Sequence, residues 1–215
     1  TGEPALLVAM VRDVMARHSV DAQRVYAAGI SAGGAMVALL GREYPEMFAA
    51  LGVHSGLQAG AADNMMAALS AMNNGAKLGP SSPSARAATH SSSALHPVLI
   101  VFHGDADTTV SAKNGEQLGD AALQAALGDK GAAVQETQSG QSAAGQRFTR
   151  HLYRAKASAP VLVEYWVLHN AGHAWSGGSA KVSQTDPRGV NATQEMLRFF
   201  LEHPRSAVPT NPSSS

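Results

Sequence analysis

Three short segments carry residue types able to do acyl chemistry, and they lie far apart in the chain. The first is Gly29-Ile30-Ser31-Ala32-Gly33, a G-x-S-x-G pattern. A serine at the tip of a sharp strand-to-helix turn has its hydroxyl lifted above a sheet and the following helix N-terminus aimed at it. Glycines two before and two after are expected to remove Cβ atoms that would clash in so tight a turn. The amide of Ala32 is then placed to stabilise a developing oxyanion. The pattern alone is weak in a chain with 21 glycines, and a glycine-rich turn in an ordinary βα unit would produce it too.

The second segment, His103 to Val110, offers two acids, Asp105 and Asp107. Asp107 stands farther past the preceding apolar run, in an H-G-x-x-D-x-x-V setting, and is the first choice; Asp105 is the runner-up. A turn or capping aspartate is the plainer reading of either. The third segment, His169-Asn170-Ala171-Gly172-His173-Ala174-Trp175, offers His173 in a Gly-flanked loop, with His169 a weaker candidate at a strand end. A serine hydroxyl is a poor nucleophile at neutral pH. His173 would take its proton and return it to a leaving alcohol, while Asp107 fixes the imidazole tautomer. An acyl-serine would form and then be hydrolysed.

These residues need elements to hold them. Residues 3–18 read as an amphipathic helix, with Leu6, Met10 and Val14 on one apolar stripe, Leu7 and Val11 beside it, and Arg12, Asp13 and Arg17 opposite. Residues 24–28 form a short β run, 35–42 a helix, and 48–53 a second strand that ends at His54-Ser55-Gly56. Residues 57–97, rich in Ala, Ser, Asn and Gly, suggest a loosely helical excursion. Residues 97–102 are apolar without alternation, as in a parallel strand buried on both faces. Residues 113–127 look helical, and 128–146 look like a loop. Residues 148–154 and 161–168 pair as a hairpin, and a last helix covers 191–202. This alternation argues for one α/β domain over residues 1–204 and a disordered Pro/Ser-rich tail over 205–215.

Composition excludes several classes. The 16 basic and 16 acidic side chains balance, which leaves no electrostatic footprint for nucleic acid or an anionic membrane. No apolar run approaches the roughly 20 residues of a membrane span. The absence of cysteine rules out disulfides, thiolate metal sites and a cysteine nucleophile. The nine histidines are not read as a zinc site, and no metal or other cofactor is expected. Asn191-Ala192-Thr193 is a glycosylation sequon of little weight. His54 falls near the proposed site but reads as a structural histidine, and Ser55 lacks the strand–turn–helix setting of a nucleophile.

The order Ser31, Asp107, His173 is that of the α/β hydrolases. Beyond that order, the chain resembles the polyhydroxybutyrate depolymerase-like esterases, relatives of feruloyl and acetylxylan esterases. The matching segments are residues 24–36, 52–56, 101–110 and 172–178, with Asp186-Pro187 and the 196–200 stretch. The resemblance implies an α/β-hydrolase-type, mostly parallel sheet with flanking helices. It also implies a secreted or periplasmic, cofactor-free hydrolase of short-chain hydroxyacyl, acetyl or feruloyl esters or a polyester. It supports the same three residues and points to Trp175 either as a wall of the acyl site or as a loop-packing side chain. Ile30, beside the serine, is the other candidate substrate contact.

The chain starts at Thr1-Gly2-Glu3-Pro4 without an initiator Met, as a processed or trimmed product would. Such esterases carry earlier strands and a loop that gives a second oxyanion amide, so an N-terminally truncated sheet is expected. A homo-oligomer or a separate N-terminal fragment would then cover the exposed edge. Two other functions remain open: a non-catalytic or weakly active binding module, and a peptidase of the prolyl-oligopeptidase type.

Overall fold

The computed structural model describes residues 2–58, 65–75, 96–129 and 131–205. A six-stranded sheet runs in the order β1-β2-β3-β6-β5-β4. Its strands are β1 (Tyr26–Ile30), β2 (Ala50–His54), β3 (Val98–Gly104), β4 (Val134–Gln141), β5 (Arg147–Arg154) and β6 (Val161–Leu168). β1, β2, β3 and β6 are parallel; β5 pairs antiparallel with both β6 and β4. Two-residue strands β7 (Trp175–Ser176) and β8 (Thr185–Asp186) form a small separate ribbon.

The helices are α1 (Glu3–Arg17), α2 (Ala32–Glu43), α3 (Met65–Asn74), α4 (Lys113–Leu127) and α5 (Ala192–Glu202). Alternate sheet residues face opposite layers, as the pleat requires. Leu51, Val53, Leu99, Val101, Val163 and Tyr165 pack with Val8 of α1, Val37 and Leu40 of α2, and Leu118 of α4. Ala50, Ile100, Phe102, Trp166 and Leu168 pack with Met196, Phe199 and Phe200 of α5. Gly52 admits this second layer, because a Cβ there would stand 2.7 Å from the Met196 sulfur. Asn191 of the sequon caps α5, accepting the Gln194 amide at 3.0 Å.

The apolar run at 97–102 is a strand buried over nearly its whole length, and the 113–127 helix and the 148–168 hairpin form as the pattern implies. Three expectations change. The 128–146 loop contains β4, whose residues are almost all exposed, so pairing with β5 holds it rather than any apolar face. The stripe Leu6, Met10 and Val14 of α1 is exposed; Val8 is the buried residue, flanked by Leu7, Val11 and Met15. A helix apolar on so many sides does not announce which stripe docks. Arg205, assigned to the tail, is tied down. Its guanidinium donates to the Phe48 and Pro45 carbonyls at 2.6 and 3.0 Å, and its amide to Gln23 at 2.9 Å. Residues 206–215 lie outside the described residues, as does most of the 57–97 excursion apart from α3.

Candidate active site

β1 runs straight into α2, and Ser31 is the hinge between them, with φ 56° and ψ −122°. A non-glycine residue rarely adopts positive φ, and it stays there only when its surroundings hold it. Here the Ser31 amide donates to the His54 carbonyl at 2.9 Å, and the Ser31 carbonyl accepts the Ala35 amide at 3.0 Å. The amides of Ala32, Gly33 and Gly34 open the helix and have no partner within it. They present the positive end of the α2 dipole beside the Ser31 hydroxyl.

The glycines divide differently from the motif. A Cβ at Gly29 would fall 2.5 Å from the Gly33 carbonyl, so glycine is required there. Gly33 faces open space, and the second close approach is at Gly34, 3.0 Å from a Val53 methyl and 3.2 Å from Gly56.

β3 ends at Gly104 and its following turn holds Asp107, whose side chain is fully buried. Oδ1 accepts the Thr109 and Val110 amides, both at 2.8 Å. Oδ2 accepts from His173 Nδ1 at 2.7 Å. Burial alone would raise the Asp107 pKa, but the Val110, His173 and Thr109 hydrogen bonds outweigh it and hold the carboxyl below its usual range. The Asp107 partner puts the His173 proton on Nδ1 and leaves Nε2 free to accept one. His103, also fully buried, donates from Nε2 to the Val110 carbonyl at 2.8 Å and so braces the acid turn.

The acid and base loops interlock. The Ala106 amide donates to the Ala171 carbonyl and the Asp105 amide to Leu168, both at 3.1 Å. A Cβ at Gly104 would overlap the Ala171 carbonyl.

The structure therefore brings Asp107 and His173 into direct contact and sets Ser31 on the same carboxyl rim of the sheet. Among the described residues the Ser31 hydroxyl makes no hydrogen bond to the imidazole. The runner-up acid and base pair with each other. His169 Nδ1 meets Asp105 Oδ2 at 2.8 Å, and Thr149 Oγ1 meets His169 Nε2 at 2.9 Å.

Trp175 is half-buried, donates from Nε1 to Thr193 at 3.0 Å, and stacks on the His54 ring with centroids 5.3 Å apart. Ile30 is half-buried at the end of β1, in register with His54. His54, which the sequence places near the site as a structural histidine, is fully buried at the end of β2, and Ser176, which no sequence signal singles out, is buried beside it. Among the described residues no group of three or more His, Asp or Glu is placed to hold a metal ion, and no helix is long and apolar enough to cross a membrane.

Residues 1–140 match the family model described as Esterase PHB depolymerase. The chain is 28% identical over 174 residues to poly(3-hydroxyalkanoate) depolymerase C of Paucimonas lemoignei, covering 80% of this chain and 40% of that one. It is 43% identical over 61 residues to feruloyl esterase B of Thermothelomyces thermophilus, covering 28% and 21%. It thus spans well under half the length of these curated relatives. Among solved structures, the acetyl xylan esterase from Aspergillus awamori superposes with a TM-score of 0.67 at 20% identity, over 92% of this chain and 67% of that one. A PHB depolymerase complexed with an R3HB trimer gives 0.55 at 20% identity, over 91% and 55%. At such identity the superpositions establish the fold.

Proposed function

Because this chain belongs to the esterase PHB depolymerase family, we propose that it hydrolyses carboxylic esters through an acyl-serine intermediate. The observation that carries the reading is a serine at positive φ on a strand–helix junction, on the same sheet rim as a buried carboxylate–imidazole pair.

Ser31 Oγ attacks the ester carbonyl as His173 Nε2 takes its proton. Asp107, kept ionised by its two amides and the imidazole, holds the ring and stabilises the imidazolium. The tetrahedral oxygen draws on the Ala32 amide and the α2 dipole. His173 then protonates the departing alcohol, and a water activated by the same imidazole releases the acid from Ser31. The Ser31–His173 contact closes when substrate binds, as catalytic hydrogen bonds that are long in a free enzyme commonly do.

The names of the relatives suggest short hydroxyacyl, acetyl or feruloyl esters, or a polyester, as substrate. Trp175 and Ile30 flank the base and the nucleophile and are assigned to the acyl site. Hydrolysis of p-nitrophenyl acetate and butyrate by wild type and Ser31→Ala tests this. Turnover in wild type that collapses in the variant supports the reading; equal rates contradict it.

A further inference from the structure

His54 is fully buried at the end of β2, at the point where the nucleophile strand, the acid strand and the base loop meet. The mechanism above gives it no role. Its contacts are specific. Its backbone carbonyl accepts the Ser31 amide at 2.9 Å. Its Nε2 accepts the amide of Ser176 at 3.0 Å, three residues beyond His173. Its ring stacks on Trp175 at 5.3 Å and on Phe102 of β3 at 5.9 Å. The next residue, Ser55, donates its amide to the Phe102 carbonyl at 2.9 Å. One residue thus touches the nucleophile through its main chain and the base loop through its side chain.

We propose that His54 is a positioning residue that holds the loop carrying His173 at a fixed distance from Ser31, by accepting the Ser176 amide on an unprotonated Nε2 and by bearing the Trp175 ring. The inference rests on the acyl-serine reading and goes further by naming what sets the spacing of nucleophile and base.

The tautomer follows from the partners. A backbone amide can only donate, so Nε2 carries no proton. The ring proton therefore sits on Nδ1 and is given to Ser55 Oγ at 3.1 Å. A charged ring would put a donor against the Ser176 amide and break this contact. Burial, with His103 and His173 nearby and Asp107 opposing them only weakly, keeps the ring neutral. The far side of the base loop is anchored independently: Ser176 Oγ donates to the Val190 carbonyl at 2.8 Å, and the Trp175 amide to Gln184 at 2.8 Å. His54 is what joins that anchored loop to the nucleophile.

The test compares wild type, His54→Leu and His54→Gln, the last keeping an acceptor near the Nε2 position. The readouts are kcat and KM on p-nitrophenyl acetate, the His54 tautomer in wild type by imidazole nitrogen NMR, and the His173 ring resonances in all three. The expected results are a kcat loss of about tenfold or more in His54→Leu with KM little changed, and recovery to within about threefold in His54→Gln. Wild-type His54 should show the Nδ1–H tautomer, and the His173 resonances should move in the leucine variant only.

An Nε2–H or charged His54 at neutral pH overturns the proposal. So does a folded leucine variant with unchanged kcat and unchanged His173 resonances, or a folded glutamine variant as impaired as the leucine one. Should the leucine variant fail to fold, the wild-type tautomer and the glutamine variant still decide. If wild type turns over no ester, the functional reading falls, and the NMR arm still judges His54 on its own.

Discussion

Two carboxylate–imidazole pairs stand at one rim of this sheet, and they differ in burial and in the hydroxyl that each could serve. Asp107–His173 lies with its carboxylate fully buried and its imidazole 19% exposed. Asp105–His169 is wetter, at 39% and 29%. The contact distances scarcely differ, 2.7 Å against 2.8 Å. The contrast lies at the hydroxyl end. Ser31 is held at positive φ where unpaired helix amides begin. Thr149 sits inside β5, in register with Val167, within a strand and not at the start of a helix. Thr149 is already hydrogen-bonded to its histidine and Ser31 is not. The acyl-serine proposal therefore rests on a hydroxyl on a strained turn whose following amides can stabilise negative charge, and not on an existing hydrogen bond.

Substitution of the two hydroxyls gives the largest contrast. Ser31→Ala should lower kcat/KM on p-nitrophenyl acetate by about ten-thousandfold or more, while Thr149→Val stays within about threefold. A Thr149→Val loss comparable to that of Ser31→Ala would reverse the assignment of the two pairs.

The acids come next. Asp107→Asn leaves a shape that fits but favours the wrong imidazole tautomer, and should cost about a thousandfold in kcat. Asp105→Asn removes a partly exposed contact that steadies His169 and the Asn170 amide, and should cost less than about tenfold. Steady-state kinetics on both variants sharpen the comparison, and similar losses would blur it.

The glycines around Ser31 separate in thermal unfolding. Gly29→Ala drives a Cβ into backbone and should destabilise by about 3 kcal/mol or more. Gly33→Ala meets nothing within 4 Å and gains helix propensity, so it should be neutral or stabilising by about 0.5 kcal/mol.

Acid sensitivity is expected as well. Burial, with His103 and His173 nearby, lowers His54 from its ordinary value to about 3. The unfolded chain takes up a proton at about pH 6.5 that the folded chain refuses, so stability should fall as pH drops from about 6.5 toward 3. Asp107 adds in the same direction. Its folded pKa is depressed, so its contribution is present above the unfolded value and lost as pH falls through the folded one. Chemical denaturation across this range should show the loss, and His54→Gln should reduce it. A flat profile in wild type would contradict a neutral buried His54.

Much of this arrangement was legible in the sequence. The unbroken apolar run at 97–102 forms the buried strand β3, and the helical stretch at 113–127 forms α4. The strained serine was legible because G-x-S-x-G encodes a backbone shape. β4 was not, since its polar residues face water and hydrogen bonds to β5 define it. Neither was the choice of Gly34 over Gly33, which depends on where Val53 and Gly56 pass. The pairing of Asp105 with His169, 64 residues away, leaves no local trace, and neither does the clasp of His54 on Ser176. Such contacts are created by the fold and cannot be read from spacing.

The most direct test of the central claim is covalent labelling with a fluorophosphonate, with the modified peptide mapped by mass spectrometry and the rate measured in wild type, Asp107→Asn and Asp105→Asn. If Ser31, His173 and Asp107 act as one unit, the label is found on Ser31, with labelling slowed about a hundredfold or more by Asp107→Asn and little by Asp105→Asn. Label on Thr149, or a Ser31 labelling rate that ignores Asp107, would contradict it.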